Sequence, residues 1–404
     1  MNKPLVILND SGKPAGGATK LAVDAAIGAA KRGWDVTYVT QAGDLSAELT
    51  QADIDVHTID GARVVRDKPR AAMRTGLWNS TAQSSVSEFI VANDTPNTVY
   101  HLHNWAHFFS PAIFKALRPV EARTVLTTHD YFLVCGNGGQ YDFKKNAVCK
   151  RVGNSMPCLL TQCDRQSYLH KAWRVARQNI RGRAFPLQEF KGQAALIHDR
   201  QRPFFERAGF PPDRLRTISN PVEPLSAHRV KAEKNRSALY IGRLSVEKGA
   251  DIAAEAAQRA DMPIIFAGAG PMTKDLASKY PNAEFAGFCD RAKLAKLIKK
   301  SRCLIMPSRL AEPFGLAAGE ALWSGLPVLI SRSAFLSSDI VSTQAGLDFD
   351  PMDLMSVEAA LRKIKDDDAL VAQMSHSAFS NTAFIANTQT DWLDAYETLY
   401  RSLL

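Results

Sequence analysis

Residues 309–331 read RLAEPFGLAAGEALWSGLPVLIS, with Glu312 and Glu320 bracketing a small, apolar, glycine-bearing segment. Pro313 pushes Glu312 out of helical dihedrals, which places that carboxylate in the loop before a helix. The helix is predicted from near Gly315 through Ser324. Gly325 suits its C-terminal cap, Pro327 forbids continuation, and the apolar run that follows suits a buried strand. Free amides at Phe314, Gly315 and Leu316 would form the kind of helix end that attracts phosphate. Glu320, one turn inside, would repel a phosphate and suits accepting hydrogen bonds from neutral hydroxyls such as a ribose diol. The same stretch reads equally well as an ordinary helix–strand unit with a solvated glutamate.

Working outward, strand and helix patterns alternate on both sides. PLVILND, the glycine-rich SGKPAGGATK and LAVDAAIGAAKRGWDVTYVTQAG form a βαβ unit with a stop at Gly33. TVYHLH and TVLTTHD are further apolar runs, and a polar, proline-bearing stretch from about 219 reads as a linker. Alternation resumes with SALYIGR and runs through CLIMPS into the opening stretch. The pattern predicts an α/β chain of two doubly wound Rossmann-like domains with a cleft between them.

The chain has 404 residues, enough for two cores, with 46% hydrophobic and 23% charged residues. No run reaches a membrane span and the first residues are too short for a signal peptide, so a cytoplasmic protein is expected. Six cysteines suit a reducing compartment. A net charge of +9 favours polyanionic partners, whether nucleic acid, anionic lipid or phosphorylated substrate.

In open α/β sheets ligands bind beyond the carboxyl ends of strands. Arg243 directly follows a predicted strand and Lys248 opens the next helix, so both cations fall on the side of the Phe314–Leu316 helix end. Gly268 and Gly270 follow another strand and would let backbone approach a ligand; Gly287 resembles them, with Phe288–Asp290 available to border a base. The first turn fails as a Walker loop, because Pro14 follows Lys13, and Gly16–Gly17 do not complete a dinucleotide fingerprint. His101, His103, His107 and His129 lie at or after strand ends, where cleft-facing and core roles are equally open. No zinc-hydrolase spacing accompanies them.

Cys135, Cys149, Cys158 and Cys163 cluster in one loop-rich segment. They could hold a structural zinc, remain reduced thiols or form a disulfide. Residues 168–185 carry Lys171, Arg174, Arg177, Arg181 and Arg183 without an acid. That helix could lie on an anionic membrane surface or be merely solvated. No recognised motif supports nucleic-acid binding.

Taken together, the Gly-Gly loop, HLHNW, TTHDY, GRLSVEKG, AGAGPM, FAGF and the Glu-x7-Glu of 312–320 resemble the retaining GT-B glycosyltransferases of family 4 over nearly the whole chain. The resemblance implies an N-terminal acceptor-side domain over 1–222 with a Cys-rich insert at about 135–163. A donor domain would span 223–385, with a terminal helix, 386–404, crossing back. It further implies that Arg243 and Lys248 bind the donor diphosphate, Glu320 the ribose and Glu312 the donor sugar. Gly16 and Gly17 would contact the donor, and His103 and His129 would stand near the reacting centre. The expected activity is metal-independent, retaining hexosyl transfer from a UDP- or GDP-sugar to a glycan or lipid-linked glycan, with no cofactor. The cysteine-rich insert resembles one in polysaccharide-assembly members. The alternative is a non-catalytic nucleotide-sugar-binding regulator on the same fold. Asn220-Pro221 and His198–Asp199 depart from the family pattern.

Overall fold

The computed structural model describes residues 3–13, 16–61 and 69–404. Pro14, part of the glycine-rich loop, lies outside them. The chain divides into two compact units. The first holds residues 1–139, 150–218 and 390–404, and the second residues 140–149 and 219–389.

Strands β1 (Pro4–Asn9), β2 (Asp35–Gln41), β3 (Asp55–Ile59), β4 (Val99–Asn104) and β5 (Thr124–Thr128) belong to the first unit, as do β8 (Gln193–Leu196) and β9 (Leu215–Thr217). Between them in the chain, β6 (Tyr141–Asp142) and β7 (Ala147–Val148) pair as a hairpin of the second unit. The first sheet is parallel, in the order β3-β2-β1-β4-β5-β8-β9. Leu5 pairs with both Val36 and Val99, so β1 is central. Leu5, Ile7 and Leu8 are fully buried, as expected of a parallel strand covered on both faces. The helix Gly17–Lys31 that follows is alanine-rich, and Gly33 at φ +81° ends its turn.

In the second unit, β10 (Ser237–Ile241), β11 (Ile264–Ala267), β12 (Glu284–Gly287), β13 (Ser301–Met306), β14 (Val328–Ser331) and β15 (Gly346–Phe349) form a parallel sheet ordered β12-β11-β10-β13-β14-β15. Both sheets reverse direction of build between their first strand and the fourth, the switch point where such sheets bind ligands. In the first sheet that point lies between β1 and β4, in the second between β10 and β13. Each unit is an α/β layer structure, as the alternation predicted.

The stretch read as a linker is instead fastened to the second unit. The buried Ser324 Oγ accepts from the amides of Leu225 at 2.8 Å and Ser226 at 3.2 Å, while donating to the Glu320 carbonyl at 2.7 Å. The final helix, Gln389–Arg401, buries Trp392, Tyr396, Leu399 and Tyr400, and from Thr390 onward it belongs to the first unit.

Candidate functional site

At the carboxyl edge of the second sheet, β10 ends in Gly242–Arg243 and its following turn carries Lys248. Tyr240, in β10, donates its hydroxyl to the Arg243 carbonyl at 2.9 Å and thereby fixes that turn. The Arg243 side chain is exposed, with no hydrogen bond or ion pair among the described residues. Lys248 is paired: its Nζ lies 2.7 Å from Glu312 Oε1 and 2.5 Å from Oε2. Ser308 Oγ donates to the same carboxylate at 3.2 Å. The residues predicted to serve phosphate and sugar therefore hold each other.

Beyond Pro313, the helix runs Leu316–Trp323 with Gly315 as its N-cap at φ +75°. That left-handed conformation favours glycine, and a Cβ there would sit 3.0 Å from Met306 Sδ. Among the described residues the amides of Phe314, Gly315 and Leu316 donate to no backbone carbonyl. Phe314 itself is buried and anchors the loop. Glu320, one turn further, lies 3.6 Å from Arg291, which also pairs with Glu223 at 3.2 Å. Gly268 and Gly270 have a reason within the chain: a Cβ on Gly270 would lie 2.2 Å from the Leu244 carbonyl oxygen, and one on Gly268 2.0 Å from that of Gly242. The turns after β10 and β11 press together. Phe288, after β12, is 87% exposed.

In the first unit, the switch point gathers a histidine cluster. His103 Nδ1 lies 3.0 Å from His129 Nε2, with the rings stacked. His101 is held by Tyr400 at 2.6 Å and Thr127 at 2.7 Å, and Thr127 by Tyr396 at 2.8 Å. Thus His101 is the core histidine of the set. His103 Nε2 is buried with no hydrogen-bond partner among the described residues. Burial keeps all three neutral, holding His101 and His103 well below the usual imidazole range and His129 down to about 3. Burial conversely pushes the neighbouring Asp130 carboxyl up to about 6, against the Phe132 amide that it accepts. Asp10, after β1, accepts the amides of His107, Phe108 and Phe109 and so shapes the loop after β4. Gly16, extended, precedes the first helix, and among the described residues no atom beyond its chain neighbours would lie within 4 Å of a Cβ there; Gly17 is the first helical residue.

Two expectations need correction. The basic helix, Tyr168–Ala184, does not present a cationic face. Lys171, Arg177 and Arg181 are buried, Arg174 is paired with Asp164 at 2.5 Å, and of the five cations only Arg183 is exposed. Arg177 stacks over Trp105 at 5.1 Å and donates to the Ala106 carbonyl. Burial lowers its guanidinium to about 10. A membrane surface therefore finds no stripe of charge along 168–185. Nor does the structure gather the cysteines as a metal site: among the described residues no disulfide joins them, and no group of three or more His, Cys, Asp or Glu that could hold a metal ion occurs. Cys158 and Cys163 both face the Lys171 ammonium, which would repel a metal cation.

His198 and Asp199 serve local structure. The His198 ring accepts the Arg200 amide at 3.1 Å, and Asp199 accepts from Thr217 at 2.9 Å and Arg202 at 3.1 Å. Ser308, Tyr240 and Arg291 escaped the sequence reading. Ser308 and Tyr240 lie only four and three residues from Glu312 and Arg243, so proximity to a predicted loop could have flagged them, whereas Arg291 reaches Glu223 and Glu320 across a long sequence separation.

Among the described residues no helix is long and apolar enough to cross a membrane. Residues 223–380 match the family model described as glycosyl transferases group 1. Glycogen synthase of Mycobacterium tuberculosis is 32% identical over 151 residues, 35% of this chain and 36% of that protein, so the alignment spans about a third of the relative. Among solved structures, sucrose-phosphate synthase from Thermosynechococcus elongatus superposes with a TM-score of 0.73 at 16% identity, covering 100% of this chain and 99% of that one. Anabaena HepE in complex with UDP-glucose gives 0.67 at 15%, covering 98% and 99%. These structures share the two-unit parallel architecture. Residues 223–380 are thus similar to the group 1 glycosyl transferases, and the chain shares the GT-B-like fold of these solved structures.

Proposed function

We propose that the protein is a retaining glycosyltransferase that moves a sugar from a nucleoside diphosphate donor to a hydroxyl of a glycan or lipid-linked glycan. The observation that carries this reading is the set gathered at the carboxyl edge of the second sheet. It comprises the exposed Arg243, the Lys248–Glu312 pair, the open amides of Phe314–Leu316 and Glu320 one helical turn beyond them. Positive charge and amides suit a diphosphate, and a carboxylate set back from them suits a ribose diol. A solved neighbour bound to UDP-glucose supports a nucleotide sugar as donor.

In this reading Lys248 turns from Glu312 toward the diphosphate when donor binds, leaving the Glu312 carboxylate to accept from sugar hydroxyls. The bond from anomeric carbon to phosphate oxygen breaks while the acceptor oxygen bonds to the same face. The acceptor proton passes to the departing phosphate. Arg243, Lys248 and the helix amides stabilise the charge that develops there. His103, whose Nε2 has no partner among the described residues, and His129 are assigned to the sugar and acceptor side. Gly16 and Gly17 are assigned to backbone contact with the donor.

The experiment is transfer or donor hydrolysis with a panel of UDP- and GDP-sugars, following the anomeric proton by NMR. One donor consumed with release of the α-anomer from an α-linked sugar supports the reading. Release of the opposite anomer overturns retention, and binding without turnover of any donor, in the presence of glycan acceptors, overturns the enzyme.

A further inference from the structure

The cysteine-rich segment has an arrangement that the proposed transfer does not use. Cys158 lies within the short helix Met156–Leu159, and Cys163 lies in the loop after it. Between them stands the ammonium of Lys171, from the first turn of the helix Tyr168–Ala184, 3.3 Å from the Cys158 sulfur and 3.2 Å from that of Cys163. Lys171 is 6% exposed, and among the described residues it pairs with no carboxylate. A lysine ammonium only donates, so sulfur is the acceptor in both contacts. A buried cation needs such compensation, since leaving it unpaired is strongly destabilising. The two sulfurs keep the Lys171 charge in place despite burial, which acts to remove it.

We propose that Cys158 and Cys163 form a peroxide-responsive dithiol, with Lys171 as the cation that activates it. A cation beside a partly accessible sulfur is the setting in which reactive cysteines occur. Access assigns the roles. Cys158 is half-buried and Cys163 is buried, so Cys158 meets the oxidant and Cys163 resolves it. In the first step the Cys158 thiol takes one oxygen from hydrogen peroxide, giving a sulfenic acid and one water. In the second, the Cys163 sulfur attacks that sulfenic sulfur, forming the disulfide and releasing a second water. Both thiol protons leave in the waters, and two electrons pass from the sulfur pair to the peroxide. Both sulfurs already touch one nitrogen, so closure requires the ammonium to withdraw and the loop 160–163 to move by a few ångströms.

Closure also removes the acceptors of Lys171. The neighbouring turn carries the Arg174–Asp164 pair, with Asp164 directly after Cys163. Oxidation is therefore expected to loosen the start of the helix whose next turns hold Arg177 against Trp105. The inference is independent of the transferase reading.

The test uses the full-length protein, purified with reductant, desalted and treated with hydrogen peroxide, with peptide mapping over time. The expected result is loss of two mass units in a linked Cys158–Cys163 pair, reversed by dithiothreitol. Cys163→Ser should arrest at a sulfenic acid on Cys158 that dimedone traps. Lys171→Met and Lys171→Arg should both fold, checked by circular dichroism; Met should slow Cys158 oxidation about tenfold, and Arg should retain most of the rate. The proposal is overturned if Cys158 and Cys163 stay unlinked while over-oxidising. It is overturned equally if Lys171→Met leaves the rate unchanged, or if the purified protein holds one equivalent of zinc that shields these thiols.

Discussion

Lys248 and Glu312, 64 residues apart in sequence, form an ion pair in which one ammonium meets both oxygens of one carboxylate, at 2.7 and 2.5 Å. Each is thus the other's counter-charge. Lys248→Ala is expected to lower kcat/KM for transfer by about a hundredfold or more, the scale for losing one donor to developing charge. Stability should change by no more than about 1 kcal/mol, because the pair is partly solvated. Because the two share a partner, Lys248→Ala with Glu312→Gln should be non-additive by about 1 kcal/mol in a kinetic double-mutant cycle. Strict additivity would show that the two groups act separately.

Ser324 makes a sharper case for stability. Its hydroxyl takes two buried amides, those of Leu225 and Ser226, and caps the Glu320 carbonyl. Ser324→Ala leaves these groups unpaired, at about 1–3 kcal/mol for each buried orphan. A denaturant melt should show a loss on the order of 2–4 kcal/mol, the sum from two such groups with partial relaxation. A loss below about 0.5 kcal/mol, the size of an ordinary surface change, would mean that the stretch 219–236 is not fastened as described.

The buried histidines set a pH dependence. His129 binds a proton near 6.5 when unfolded but only near 3 when folded, and His101 and His103 shift the same way. Their contribution is complete above 6.5 and is lost as pH falls through the window below it. Asp130 acts in the opposite sense: raised from 3.8 to about 6, it favours folding below 3.8 and loses that contribution as pH rises toward 6. Three groups oppose one, so Tm should rise from about pH 4.5 to about pH 7, with proton uptake on unfolding near pH 5.5. His129→Asn should flatten the rise. A Tm that falls over this range would show that Asp130 dominates.

The sequence places Arg177 on a basic helix, and the structure buries it. Arg177→Ala should cost about 3–5 kcal/mol, the range for disrupting a buried charge arrangement, and Arg183→Ala almost nothing. Urea melts of the two variants check this directly; equal stabilities would return Arg177 to the surface.

The parts of this fold that local chemistry dictates were legible. Pro313, Gly325 and Pro327 bounded the helix that carries Glu320, and apolar runs marked β1, β4, β5 and β10 through β14. Short strands of mixed composition, such as β3, β8 and β9, offered no comparable run, and their places come from pairing with neighbours. Nor could spacing foresee which way a basic helix turns. Arg177 points inward because Trp105 and the Ala106 carbonyl, distant in sequence, receive it. Likewise the glycines after β11 are explained by carbonyls after β10, a contact between two turns that no single window of sequence contains.

The most direct test of the central claim is calorimetric titration of the full chain with UDP, GDP and their glucose and mannose conjugates, comparing wild type with Glu320→Ala. The account predicts saturable one-to-one binding of one nucleotide series, weakened at least about tenfold in the variant, a loss of 1.4 kcal/mol or more, with its melting curve in the absence of nucleotide unchanged. No binding of any nucleotide, or binding equally tight without the Glu320 carboxylate, would contradict it.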